Sequence, residues 1–267
     1  GNLLNTVGTR SITMLLNFLL VISSTHLLGT DGRGVIGVFI ATYSMTMMFI
    51  QFVGGSPIIY LTQKHKLNHL LLPSYIWSLL VGFIAYFFLT LYPILDYKYH
   101  SHICLIAVLH SIWVVNSFVL MGNERVKDHN LLQLLYILIL ILSFIFIYFY
   151  SINSVYAYIY ALYIANMIVL VISIALIIPN KKSSVVNIQA KFFKALKNML
   201  SLGFWAQSAN LLQFLNYRLS YFVLISYVSM SNVGIYSAAI QVGEALWILA
   251  KSFSLVLYAR VSNEEDK

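Results

Sequence analysis

The sequence predicts an all-α, polytopic membrane protein of eight transmembrane helices, arranged as one six-helix lobe followed by the first hairpin of a second. Three observations carry that expectation. Of 267 residues, 60% are hydrophobic and only 9% charged, whereas soluble domains carry about 25% charged residues and about 45–50% apolar ones. That excess of apolar surface exceeds what one core of this size hides, so lipid is its solvent. Eight stretches reach the roughly 20 apolar residues that a helix rising about 1.5 Å per residue needs to cross about 30 Å of hydrocarbon. Finally, the basic residues alternate in side. Twelve of the sixteen Lys and Arg fall in segments on one side; only Arg33 and Lys98 fall in loops on the other. This bias places both termini in the cytoplasm.

The spans follow in chain order. The first, Val7–Leu28, carries a polar stripe of Thr6, Arg10, Thr13, Asn17 and Ser24, a pattern suited to hydrogen bonding between membrane helices. Arg10 lies close enough to the interface to snorkel. The polar run Gly29-Thr30-Asp31-Gly32-Arg33-Gly34 reads as an outer turn. The second span, Val35–Ile59, contains Gly54-Gly55-Ser56-Pro57, which should bend or break it near its cytoplasmic end. His69–Tyr92 and His102–Met121 form the third and fourth, separated by Asp96-Tyr97-Lys98. Leu131–Tyr150 and Val155–Ile178 form the fifth and sixth, and Met199–Tyr227 and Val233–Leu257 the last two.

The segment from Pro179 to Asn198 is the longest linker. Lys191, Lys194 and Lys197 alternate there with Phe193, Leu196 and Leu200, which fits an interfacial amphipathic helix or a solvated elbow. The sequence therefore divides into a six-span lobe (1–178), a cytoplasmic basic linker (179–198) and the opening two spans of a second lobe (199–267). A repeat supports this division. Gly34-Val35-Ile36-Gly37 follows the first span and Gly234-Ile235-Tyr236-Ser237 follows the seventh, 200 residues later, in matching hairpins. A six-span unit repeated once would place at least four further spans beyond this sequence.

Charged groups inside spans are costly, about 2.5–3.5 kcal/mol each near the centre on insertion scales, and face cavities or partners. Three qualify: Arg218, Glu244 and Lys251. On the seventh span Gln207, Asn210, Tyr217, Arg218 and Tyr221 point away from a lipid stripe of Leu211, Leu212, Leu215, Leu219, Phe222 and Val223. On the eighth, Ser237, Gln241, Glu244, Lys251 and Tyr258 share one face. Arg218 and Glu244 sit at equal depth about Ser231, suited to a buried pair. The cations Arg218, Lys251 and Arg10 also suit a cavity for an anionic group, and both arrangements are compatible. The candidate cavity-lining residues are Arg218, Glu244, Lys251, Gln241, Asn210, Gln207, Tyr217, Arg10 and Asn17.

Enzyme chemistry finds little material. There is no P-loop, no HExxH and no GxSxG. Glu244 is the one acid of eight within a span, and the single Cys104 forms no internal disulfide. The pairs His65/His69 and His100/His102 have ligand-like spacing but read as surface loop residues, since a metal site needs three or four convergent ligands. No catalytic residue, metal, cofactor or nucleic-acid partner is expected.

Several runs carry a specific likeness. Leu211-Leu212-Gln213-Phe214-Leu215-Asn216-Tyr217-Arg218-Leu219, Gly234-Ile235-Tyr236-Ser237, Glu244-Ala245-Leu246-Trp247, Leu257-Tyr258-Ala259-Arg260-Val261-Ser262 and the turn Leu28–Gly34 resemble Wzx-type O-antigen flippases. These belong to the superfamily of multidrug, oligosaccharidyl-lipid and polysaccharide exporters. Ser220 and Ala259 depart from the pattern, where an acid and a proline are usual. The resemblance implies twelve to fourteen spans in two lobes about a central cavity, in the bacterial cytoplasmic membrane. It implies a flippase of O-antigen lipopolysaccharide biosynthesis, moving a lipid-linked oligosaccharide across the bilayer, with H+ or Na+ as the coupling ion.

Overall fold

The computed structural model describes residues 2–64, 66–178 and 188–243, and these are all-helical with no strand among them. The helices are α1 (Asn2–Gly54), α2 (Pro57–Leu61), α3 (Leu67–Leu91), α4 (Tyr97–Gly122), α5 (Val126–Tyr150), α6 (Val155–Ile177) and α7 (Ile188–Leu224). A further helix, α8, occupies 230–243. By length and composition five segments are able to cross a membrane, namely α1 with α2, then α3, α4, α5 and α6. Eight were expected. The difference has three sources: two expected spans share α1, α7 is long but polar, and the last span runs past the described residues.

The 53 residues of α1 would reach about 80 Å as a straight rod. They do not run straight, because Gly29 has φ 69° and ψ −178°, a conformation open essentially to glycine alone. Before it, the N-terminal arm runs beside α5. Asn130 Nδ2 donates to Thr6 Oγ1 at 3.1 Å near one end, and Tyr148 Oη donates to the Leu27 carbonyl at 2.5 Å near the other. After it, the C-terminal arm returns. Ile36 and Phe39 pack with Phe144 and Tyr158, while Val53 packs with Leu132 and Ile177 at the end where the chain began. The expected outer turn of six residues is therefore a reversal at one residue. The helix resumes at Thr30, and Arg33 lies in its first turns rather than in a loop.

Two large apolar clusters, one toward each end, and a smaller one of Met47, Ile50, Val81 and Ala107 hold the bundle together. Toward the reversal, Leu20, Phe39, Ile103, Ile106 and Phe144 interlock with Tyr221 of α7; toward the basic end, Val53, Trp113, Leu120, Val169 and Met199 do so. Helix α4 contributes to both clusters and packs against α1, α3, α5 and α6. Helix α3 stands outside it, with Phe83, Ile84, Phe87 and Leu91 exposed, the surface that lipid would cover. Where Gly54 and Pro57 were expected to bend the chain, α1 ends and the five-residue α2 begins with Pro57 in its first turn. The expected interfacial helix and the seventh span are one continuous helix from Ile188 onward; residues 179–187 lie outside the described set.

Polar side chains tie the helices together internally. Asn166 on α6 donates its amide to the Leu162 carbonyl and receives Trp113 Nε1 at 2.9 Å and His110 Nδ1 at 3.0 Å. Asn116 on α4 takes the Tyr75 hydroxyl from α3 and donates to Ser173 Oγ on α6. Two expected surface histidines are in fact inside. His69 is buried, and His100 is buried against the Leu95 carbonyl at 2.8 Å. Each sits within the first turn of its helix, where the core begins sooner than the apolar runs suggested.

Candidate functional site

A close backbone contact joins α1 to α8. A side chain added at Gly34 would collide with the Met230 carbonyl, and one added at Gly234 with the Thr30 carbonyl. Each contact maps onto the other by an offset of 200 residues. Gly37 meets Ser237 in the same register, with Ser237 Oγ 2.8 Å from a Cβ placed there, and Thr30 Oγ1 lies 2.6 Å from Ser231 Oγ. A reciprocal contact of this kind is the mark of a local two-fold relation. The glycines permit it, because any side chain would hold the backbones apart. At the other end Gly203 of α7 sits against the Phe52 carbonyl of α1, so α7 also follows the C-terminal arm closely.

Against this seam the structure sets two arginines. Arg33 is 1% exposed. Its Nη1 donates to Ser24 Oγ at 3.1 Å, across the hairpin, while Nε and Nη2 have no partner among the described residues. Tyr158 of α6 and Tyr221 and Arg218 of α7 lie within electrostatic reach of its guanidinium. Arg218 donates Nη1 to Tyr221 Oη at 3.3 Å, with its Cζ 5.6 Å from that ring's centroid. The Tyr221 ring stands 5.4 Å from that of Tyr236, whose hydroxyl donates to Ser220 Oγ at 2.6 Å. Ser237 Oγ is buried and without a hydrogen-bond partner among the described residues. The described acids, Asp31, Asp96, Glu124 and Asp128, are absent from the groups acting on Arg33. A buried cation without a counter-ion costs of the order of several kcal/mol, and among the described residues none is supplied to Arg33, so its unpartnered edge is suited to an anionic group.

The expected site residues fall into three groups. Arg218 and Tyr217 are half-buried on α7, and Arg218 joins the seam. Gln207 is buried against Gly55 and accepts from Asn210 Nδ2 at 3.0 Å, while Asn210 itself is exposed. Gln241 is half-buried on α8. Arg10 and Asn17 are exposed on the N-terminal arm, where Asn17 bonds the Thr13 carbonyl of its own helix at 2.8 Å. The structure does not bring these two to Arg218. Glu244 and Lys251 lie outside the described residues, and with them the expected pair between Arg218 and Glu244. Sequence reasoning missed Arg33, since Asp31-Gly32 reads as a turn. The available signal was spacing, because Arg33 precedes Gly37 by four residues and so shares its helical face.

No family model matches this sequence, and no curated protein does. Among solved structures, one described as "protein A" superposes with a TM-score of 0.68 at 15% identity, covering 91% of this chain and 60% of its own. A MOP superfamily transporter from Pyrococcus furiosus, whose description speaks of a binding pocket of reversed polarity, superposes with a TM-score of 0.56. It is 16% identical, covering 90% of this chain and 62% of its own. At such identities the likeness is one of fold. This chain spans about 60% of the length of these structures.

Proposed function

We propose that this protein is a flippase that carries an undecaprenyl-diphosphate-linked oligosaccharide from the cytoplasmic to the periplasmic leaflet by alternating access. The fold it shares with a MOP superfamily transporter supports a membrane transport role. The single observation that carries the substrate class is the buried Arg33 guanidinium, whose Nε and Nη2 have no hydrogen-bond partner among the described residues, with Arg218 within its electrostatic reach. A transporter of organic cations needs carboxylates facing its substrate, whereas a diphosphate needs guanidinium and hydroxyl donors. In this reading residues 1–178 form the first lobe, 179–198 a basic cytoplasmic linker and 199–267 the start of the second lobe. The seam closes the periplasmic side while the lipid tail stays in the bilayer.

The test is export of surface polysaccharide in cells lacking their own flippase. Arg218→Ala should abolish it and Arg218→Lys impair it, with membrane insertion intact, because lysine lacks the planar fork that grips two phosphate oxygens. If Arg218 serves only a structural pair with Glu244, removing both charges should restore what each single change loses. Rescue by the double variant would overturn the substrate-binding role.

A further inference from the structure

Which edge of Arg33 is unpartnered decides what it takes. A guanidinium presents two kinds of face. Nη1 is already committed to Ser24 Oγ, whose own hydroxyl donates to the Val21 carbonyl at 3.0 Å. The free atoms are Nε and Nη2. Their N–H bonds point in parallel along one edge of the planar group, the geometry that meets two oxygens of one carboxylate or phosphate. A single-atom anion such as chloride would use half of that edge.

The surroundings add donors. The Tyr221 hydroxyl accepts from Arg218, which leaves its own proton to donate. Tyr158 brings a second phenol from α6. The ligands thus come from α1, α6 and α7, of which α1 packs against both of the others. Ser24 fixes the guanidinium from across the Gly29 reversal.

We propose that Arg33, with the hydroxyls of Tyr158 and Tyr221, forms an oxyanion site that takes a phosphoryl group on the Nε–Nη2 edge. Arg33 is enclosed in this arrangement, so the phosphoryl group enters when α7 separates from α1, and occupancy is thereby linked to the state of the seam. The phosphoryl group belongs either to a lipid headgroup or to free phosphate. The site rests on this geometry alone and stands even if the carried substrate is not a lipid diphosphate.

The experiment uses the full-length chain in nanodiscs with inorganic phosphate and pyrophosphate as probes, and chloride at matched ionic strength as control. Binding is read from 31P line broadening and from the shift in melting temperature. Phosphate or pyrophosphate should bind saturably and chloride should not. Arg33→Lys, which keeps the charge and loses the edge, should weaken binding at least tenfold, and Tyr158→Phe should weaken it a few-fold with the fold intact. No saturable binding by the unmodified chain overturns the site, whatever the variants do. Equal binding by Arg33→Lys overturns it as well. Where binding is lost in Arg33→Lys and export is lost with it, the phosphoryl group is the headgroup's; where export survives, the site serves free phosphate. Loss of export by Arg218 variants with phosphate binding retained separates this site from the reading of the substrate.

Discussion

Gly34 and Gly234 offer a measurement of how tightly α1 and α8 are held. With alanine at Gly234, the new Cβ would lie 2.9 Å from the Thr30 carbonyl carbon and 3.0 Å from the Gly34 nitrogen, with the carbonyl oxygen nearer still. Real Cβ contacts below about 3.4 Å are rare, so these two atoms alone require a helix shift of about half an ångström. No rotamer relieves it, because every clashing atom is backbone. Overpacking of this kind costs about 1–3 kcal/mol. Alanine also stabilises a helix by about 1 kcal/mol over glycine, and that gain must be removed before the clash is read. Gly8, which has open space around it, supplies the control: Gly8→Ala gains the propensity and meets nothing. The difference between Gly234→Ala and Gly8→Ala therefore isolates the clash. At about 2–4 °C per kcal/mol for a chain of this size, thermal unfolding in detergent should place Gly234→Ala roughly 2–12 °C below Gly8→Ala. Gly34→Ala should behave alike. The double variant should lose less than the sum, since one displacement relieves both contacts. Equal melting of Gly34→Ala, Gly234→Ala and Gly8→Ala would show that the crossing is not close in solution and remove the basis for a two-fold seam.

Three further outcomes are expected. Gly29→Ala should destabilise the protein by about 1–3 kcal/mol through its backbone conformation alone, and thermal melts should show Gly29→Asn to be no milder, since ψ −178° lies outside the left-handed region that asparagine tolerates. Asn166→Leu strands the donors of Trp113 and His110 and should cost about 1–3 kcal/mol for each buried group left unpaired, read by chemical denaturation; a cost under about 0.5 kcal/mol would mean water replaces the amide. In intact cells, an impermeant thiol reagent should label cysteines placed at Lys98 or Ser229 and spare those at Lys64 or Arg125, and the reverse pattern would overturn the orientation.

Much of the architecture was legible in the residues because lipid imposes a length and a composition on whatever crosses it. The apolar runs marked α3 to α6 within a few residues, and Gly54 to Pro57 announced the break before α2 because proline cannot continue a hydrogen-bonded turn. The glycine pair 200 residues apart pointed to matching hairpins. Other features were not local. Arg33 looked like a loop residue because Asp31-Gly32 has turn composition, yet Gly29 completes the reversal by itself and leaves everything after it free to be helical. His69 and His100 looked solvent-facing because polar neighbours surround them in sequence, whereas in space they sit where neighbouring helices close over them.

The sequence by itself determined that the chain is helical and apolar enough to live in lipid. Those properties depend on composition and on spacing along the chain. Only the tertiary structure decided that Gly34 meets Met230 while Gly234 meets Thr30, that Arg33 rather than Arg10 stands near Arg218, and that Nε and Nη2 of Arg33 are left without a partner among the described residues. The reason is geometric: a helix face gives the direction of a side chain, but which face opposes it is set by packing among helices distant in sequence.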